Sequence, residues 1–203
     1  MVRGSPKRRV DLELRTLDVL LAGFFLIVLS PLIGLIAILL VLTSGRPLLY
    51  RGERVGRDGR IFHMLKFRTL RRAAEERLGP YLGEELMLRT REETTRLGRR
   101  LRAAQLDELP QLWNVLRGDM SFVGPRPERP EFVQQFEQDI QGYRERFKVR
   151  PGLTGYAQVN GEYHTSATTK LKYDLAYMYN RSIWLDLKIL SETAKVMLTR
   201  RGV

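Results

Sequence analysis

The sequence predicts an α+β fold, mainly helical: a re-entrant membrane hairpin of helix, break and helix, then a small cytosolic globular domain with short strands and interfacial amphipathic helices. Three observations predict it. An uncharged run of 24 residues, Val19 to Leu42, is interrupted at Ser30-Pro31; Lys and Arg cluster on both sides of it; and beyond it strand-like stretches punctuated by glycine give way to charged helical ones.

As one straight helix the run would reach about 36 Å, against a hydrocarbon core of roughly 30 Å. It is too long for the apolar part of a cleavable signal, about 7–15 residues, and no small-residue cleavage site follows. It is also uncommonly long for a core helix in a domain of this size. Lys7, Arg8, Arg9 and Arg15 precede it, and Arg46, Arg51, Arg54, Arg57 and Arg60 follow. Lys and Arg are retained on the cytoplasmic side, so one crossing would strand one cluster. A segment that enters and leaves by the same face satisfies both. Pro31 lacks an N–H and breaks the helix, and Ser30 can satisfy a carbonyl freed there. A single span with a tolerated proline kink is the competing reading. The division expected is residues 1–45, lead-in and re-entrant helix, and 46–203, the cytosolic domain.

Residues 1–18 read as a basic amphipathic helix at the membrane surface, with Leu12, Leu14 and Leu17 among alternating charges. Leu48–Tyr50 and Ile61–Phe67 are strand-like, and Gly56-Arg57-Asp58-Gly59 supplies a turn. Residues 71–104 predict helices interrupted near Gly79-Pro80, with Leu97 and Leu101 set four apart on a basic face. Residues 105–130 are dense in turn-formers. Glu131 to Ile140 is a short amphipathic helix entered by Pro130. Arg150–Gly161, RPGLTGYAQVNG, reads as a shaped loop, and Leu171 to Arg201 as helical, with Tyr173, Tyr177, Tyr179 and Trp184 suited to core packing or a membrane interface.

Composition excludes several chemistries. The chain has no cysteine, so it has no disulfide and no thiolate metal site, and its two histidines, His63 and His164, are too far apart in sequence to suggest zinc. A net charge of +12 suits nucleic acid, an anionic membrane or a phosphate-rich substrate. The basic residues are spread along the chain and form no nucleic-acid module, so no nucleic-acid partner is expected. A membrane-tethered basic protein that binds anionic lipid or nucleic acid is the alternative from another class.

Leu106-Asp107-Glu108-Leu109-Pro110-Gln111 places two adjacent carboxylates among leucines. On a helix neighbours point about 100° apart, so the pair suits two roles, one acid as nucleophile or metal ligand and the other orienting or handling a proton. Two surface acids near a helix start are the plainer reading. Arg126 stands between Pro125 and Pro127, which restrain its backbone and pre-place a guanidinium fork for phosphate. Strand alternation puts Lys66 and Arg68 on one side and Phe67 on the other, two cations that invite a diphosphate or form an exposed basic edge.

These segments together resemble the bacterial sugar transferases, the monotopic phosphoglycosyl transferases that act on polyprenol phosphate. The resemblance runs from about Arg15 to the C-terminus. It rests on Ser30-Pro31, on KFRT at Lys66–Thr69, on LDELPQLWNVLRGDMSFVGPRPE at Leu106–Glu128, on RPGLTGYAQVNG, and on YDLAYM at Tyr173–Met178. Leu70, Gln105 and Tyr156 depart from the usual pattern. Longer members carry extra transmembrane helices ahead of this module, and the chain is expected to be the minimal catalytic form. The resemblance implies a transferase that moves a sugar-1-phosphate from a nucleotide-sugar, UDP-linked, to polyprenol phosphate with release of UMP, the first membrane step of glycan assembly. It implies Asp107 as nucleophile, Glu108 as its partner, Mg²⁺ beside Asp107, and Lys66, Arg68, Arg126 and Asp174 at the substrate site. Ser30-Pro31 would turn the re-entrant helix, and the location implied is the cytoplasmic face of the bacterial inner membrane.

Overall fold

The computed structural model describes residues 8–78, 83–161 and 165–199. Helix α1, Arg8–Val28, leads through Leu29 into α2, Ser30–Ser44. Pro31 has no N–H to give the carbonyl of Ile27 four residues back. Ser30 Oγ donates to that carbonyl instead, at 2.8 Å, and the helix axes turn by 60° at the break. Among the described residues no single helix is long and apolar enough to cross a membrane. α1 and α2 reach that length and composition only together, across the bend. Leu20, Phe24, Ile27, Leu35, Ile38 and Leu42 are each more than half exposed along the pair.

The lead-in is the first part of α1, helical as expected from Arg8 on, and several of its side chains belong to the protein interior. Leu14 and Asp18 are buried. Asp18 accepts from Ser121 Oγ at 2.9 Å and from the Phe122 N–H at 3.0 Å. Arg15 donates to the carbonyls of Val115 and Leu116, at 2.6 and 2.7 Å.

Strands β1, Leu49–Val55, and β2, Ile61–Phe67, pair as an antiparallel hairpin, with Tyr50 opposite Lys66, Gly52 opposite Met64 and Arg54 opposite Phe62; β2 keeps the expected bounds, whereas β1 runs on to Val55, past the expected Leu48–Tyr50. Its turn is a short 3-10 segment, Arg57–Gly59, in which Asp58 and Gly59 take positive φ. Helices α3, Ala74–Leu78, α4, Gly83–Glu93, and α5, Arg96–Ala103, follow; the interruption expected at Gly79-Pro80 lies outside the described residues. Thr95 caps α5 by accepting from the Gly98 N–H. Leu97 and Leu101 turn inward against Ile36 and Leu40 of α2, which leaves the arginines of α5 outside. Gly98 permits this approach, since a Cβ there would lie 2.2 Å from the Thr69 carbonyl oxygen.

The turn-rich stretch contains more regular structure than its composition suggests: a 3-10 turn at Leu106–Glu108, helix α6 at Gln111–Arg117 and strand β3 at Ser121–Val123. Helix α7, Pro130–Asp139, begins at its proline as expected. The segment read as a loop contains β4, Gly152–Thr154, and α8, Tyr156–Asn160. β3 and β4 pair in parallel, Ser121 with Gly152 and Val123 with Thr154. A side chain at Gly152 would stand 2.1 Å from the Gly124 nitrogen, so glycine is what lets the two segments cross.

The C-terminal helical stretch divides into α9, Ala167–Asn180, and α10, Ile183–Thr199. Arg181 leaves the helix to meet Asp11 at 2.7 Å, and Ser182 Oγ accepts from the Leu185 N–H, starting α10. Of the aromatics here Tyr177 is core, whereas Tyr179 and Trp184 are exposed. The main core lies between α1, β2, α6, β3, α9 and α10, around Ala22, Met64, Val115, Met120, Val123 and Ile189.

The Tyr177 hydroxyl lies 3.1 Å from the Val123 carbonyl oxygen and 2.9 Å from Asp186 Oδ1. Its one proton serves one acceptor, so a neutral Asp186 supplies the second. Burial, reinforced by Asp18 and opposed by Tyr177 and Arg181, pushes the Asp186 carboxyl up to about 7. The native state therefore holds a proton that the unfolded chain releases near pH 4, and stability falls as pH rises from about 4 to about 7. The melting temperature is expected to drop between about pH 5 and about pH 7.5, and Asp186→Asn to flatten that slope.

Candidate active site

The site is assembled by an amide. Asn114, 1% exposed on α6, accepts from the Leu65 N–H and donates to the His63 carbonyl, both at 2.9 Å. It thereby occupies the open edge of β2 as a neighbouring strand would, and a second donation reaches Asp119 at 3.1 Å. That docking brings the Leu106–Glu108 turn against β2.

The two acids part there. Asp107 is 7% exposed, and burial raises its carboxyl above the usual range, with Lys66 opposing and Glu108 adding to the rise. Glu108 accepts from Lys66 Nζ at 2.5 Å. Beside them opens a cleft of about 160 Å³, lined by Met64, Lys66, Glu108 and Gln111 at one end and by Arg54, Glu128, Arg129 and Phe132 at the other, with Arg126 between the prolines. The Arg126 guanidinium makes no hydrogen bond or ion pair with the described residues. Its backbone is fixed instead: the Arg126 carbonyl accepts from Arg146 Nη2 at 2.9 Å.

Structure therefore separates the expected substrate residues. Lys66 and Arg126 line the cleft, while Arg68 and Asp174 do not. β2 ends at Phe67, so the alternation that would have put Arg68 beside Lys66 stops there. Arg68 turns to the end of α2 and donates to the carbonyls of Ser44, Gly45 and Arg46. Asp174, 3% exposed, pairs with Arg146, itself 5% exposed, at 2.9–3.0 Å, and Arg146 also donates to the Tyr143 hydroxyl. Asp174 thus stands behind Arg126 and orders the residue that holds its backbone.

Gln111 was not singled out by sequence. It is 2% exposed, lines the cleft, and its Nε2 has no hydrogen-bond partner among the described residues. An amide donor left bare inside a protein calls for an acceptor, and a ligand oxygen is one. The only signal in the sequence is its spacing, three residues after Glu108 and so on the same side of a turn. Among the described residues no group of three Asp, Glu, His or Cys could cage a metal. Asp107 and Glu108 do offer two adjacent carboxylates, a donor set that fits Mg²⁺, which takes one or two carboxylates and completes its shell with substrate phosphates and water.

Removing one member of the Arg146–Asp174 pair leaves a buried charge without its partner. Asp174→Leu is expected to destabilise by about 3 kcal/mol or more, and the double change with Arg146→Met to recover most of that loss, read by denaturant or thermal unfolding.

Residues 11–200 match the family model described as bacterial sugar transferase. The chain is 39% identical over 191 residues to the UDP-N-acetylgalactosamine-undecaprenyl-phosphate N-acetylgalactosaminephosphotransferase of Aeromonas hydrophila, covering 93% of this chain and 44% of the relative. It is 41% identical over 199 residues to the UDP-glucose:undecaprenyl-phosphate glucose-1-phosphate transferase of Caulobacter vibrioides, 96% of this chain and 73% of that one. The protein of the same name from Klebsiella pneumoniae is 37% identical over 194 residues, 92% of this chain and 40% of its own length. With nearly its whole length matched, this chain belongs to the bacterial sugar transferase family.

Proposed function

We propose that the protein transfers a sugar-1-phosphate from a UDP-sugar to polyprenol phosphate, releasing UMP. The observation that carries this is a buried carboxylate, Asp107, whose neighbour Glu108 lines a cleft shared with Lys66, Arg54, Arg126 and Arg129. Four cations and two carboxylates line that cleft, a net +2 that a diphosphate diester's two negative charges neutralise. The relatives' names, with UDP-sugar donors and undecaprenyl-phosphate acceptors, support the same substrates.

In the first step an Asp107 oxygen attacks the sugar-linked phosphorus. The bond from that phosphorus to the bridging oxygen breaks, and UMP leaves with the oxygen and its electron pair. In the second step a phosphate oxygen of polyprenol phosphate attacks the same phosphorus and returns Asp107 as a carboxylate. Covalent catalysis of this kind lets an aqueous and a lipid substrate use one site in turn. Lys66 holds Glu108 in place beside Asp107, Arg126 takes a phosphate bidentately, and the bare Gln111 amide donates to a phosphoryl oxygen. Mg²⁺, held by Asp107 and Glu108, would supply charge neutralisation on the diphosphate.

The bent helix pair is the proposed anchor, re-entering the cytoplasmic face of the inner membrane. A 60° turn suffices for entry and exit by one face when each arm lies near 30° to the membrane plane. At 1.5 Å per residue, the apolar end of α1, Val19 to Val28, would then descend only about 7 Å, a shallow insertion.

Two experiments test this. Wild-type enzyme given saturating UDP-sugar and magnesium should gain the mass of a sugar phosphate on Asp107, and Asp107→Asn should abolish both the adduct and UMP release; substantial turnover by the variant refutes the nucleophile. Pro31→Leu restores an N–H for Ile27 and should straighten the pair into a span, placing tags at the two termini on opposite sides. Both tags remaining cytoplasmic would overturn the account of the bend.

A further inference from the structure

The cleft is longer than a phosphate site requires. Lys66 and Phe62 are four residues apart on β2, about 14 Å at strand rise, and Arg54 stands opposite Phe62. Arg54 therefore marks the far end of a trough whose near end holds Lys66 and Glu108. That far end is fixed to the hairpin: the Val55 N–H donates to the Glu128 carbonyl at 3.0 Å, and Val133 of α7 packs with Val55 in one buried cluster. Glu128, Arg129 and Phe132 line it. Phe132 is half-buried, its ring stacked on Phe136 with centroids 6.4 Å apart, so an aromatic surface is held in place at the edge of the trough. Arg129, like Arg126, has a guanidinium with no partner among the described residues. A second pair of anionic groups would not need an aromatic ring. A flat, neutral, aromatic group at the end of a diphosphate would.

Resting on the donor reading above, we propose that this end of the cleft is the nucleoside subsite, with the base lying on Phe132 and Arg54 and Arg129 donating to its carbonyl oxygens. A guanidinium only donates, so it matches a base rich in carbonyls, such as uracil, better than one presenting an amine at the same edge. Glu128 is the acceptor in reach of the ribose hydroxyls. The diphosphate then spans Arg126, and the sugar-linked phosphorus reaches Lys66, Glu108 and Asp107. The nucleotide is read at one end of the trough and cleaved at the other.

The test uses the full chain in lipid nanodiscs and two probes that differ by the base alone, UMP and ribose 5-phosphate. Wild type should bind UMP about tenfold more tightly or better, the range that base–aromatic stacking supplies. Phe132→Leu should remove that preference, weakening UMP about tenfold while leaving ribose 5-phosphate unchanged, and Phe132→Tyr should restore it. Equal losses for both probes would mean that Phe132 only shapes the phosphate end, and no loss would mean that the base lies elsewhere; either overturns the subsite. If Phe132→Leu fails to fold, the wild-type ratio decides, since equal affinity for the two probes overturns the proposal unaided. Release of UDP rather than UMP from the donor would instead sink the reaction proposed above and leave a base subsite standing.

Discussion

The docking of Asn114 on the free edge of β2 is the constraint from which the site follows. A two-stranded hairpin has two open edges, and here one side-chain amide supplies both the donor and the acceptor that a third strand would have supplied. Because Asn114 sits on the helix that follows the acidic turn, this pairing sets the distance between Lys66 and Glu108. The same residue's backbone carbonyl accepts from the N–H groups of Gly118, Asp119 and Met120, so the exit of α6 toward β3 is fixed at the same point. Losing the amide would leave His63 and Leu65 with bare backbone groups and the carboxylates without a fixed wall.

Several of the arginines are engaged with the protein's own backbone and buried groups rather than left free on its surface. Arg15 takes two carbonyls at the end of α6, Arg68 takes three at the end of α2, and Arg146 takes a carbonyl, a hydroxyl and a carboxylate. Helix C-termini carry unsatisfied carbonyls and a partial negative charge, and a guanidinium with five donors answers both. Two arginines whose guanidinium groups have no hydrogen bond or ion pair among the described residues, Arg126 and Arg129, lie together in the cleft. A count of charges on the sequence therefore overstates the freely available cations and says nothing about where they gather.

What could be read from the sequence is what short-range rules determine. Ser30-Pro31 announces its break because the missing N–H and its substitute lie within four residues. The β1–β2 hairpin shows in alternation and a glycine turn, and α7 in its opening proline. Asp107 and Glu108 stand out as a pair, and their different surroundings follow from adjacency on a turn. The misses are of two kinds. α6 and β3, seven and three residues long, are too short for a period to emerge among turn-formers. Arg68 and Asp174 drew the right interest for the wrong location, because their partners are about 22 to 28 residues away and nothing local reveals them. Gln111 is a stronger case, since what marks it out is a buried donor with no partner among the described residues.

Arg68 and Lys66 are separated by one residue, yet one grips the closing turn of α2 and the other grips Glu108. Phe67 between them is sunk among Ile36, Leu40 and Leu101. The stretch from α2 to the acidic turn is thus spanned by three consecutive residues, with no hinge inserted. In the anchoring proposed above, any rocking of α2 would reach the acidic turn through these three residues, so the height of the proposed chemistry would be gauged from the helix set against the lipid.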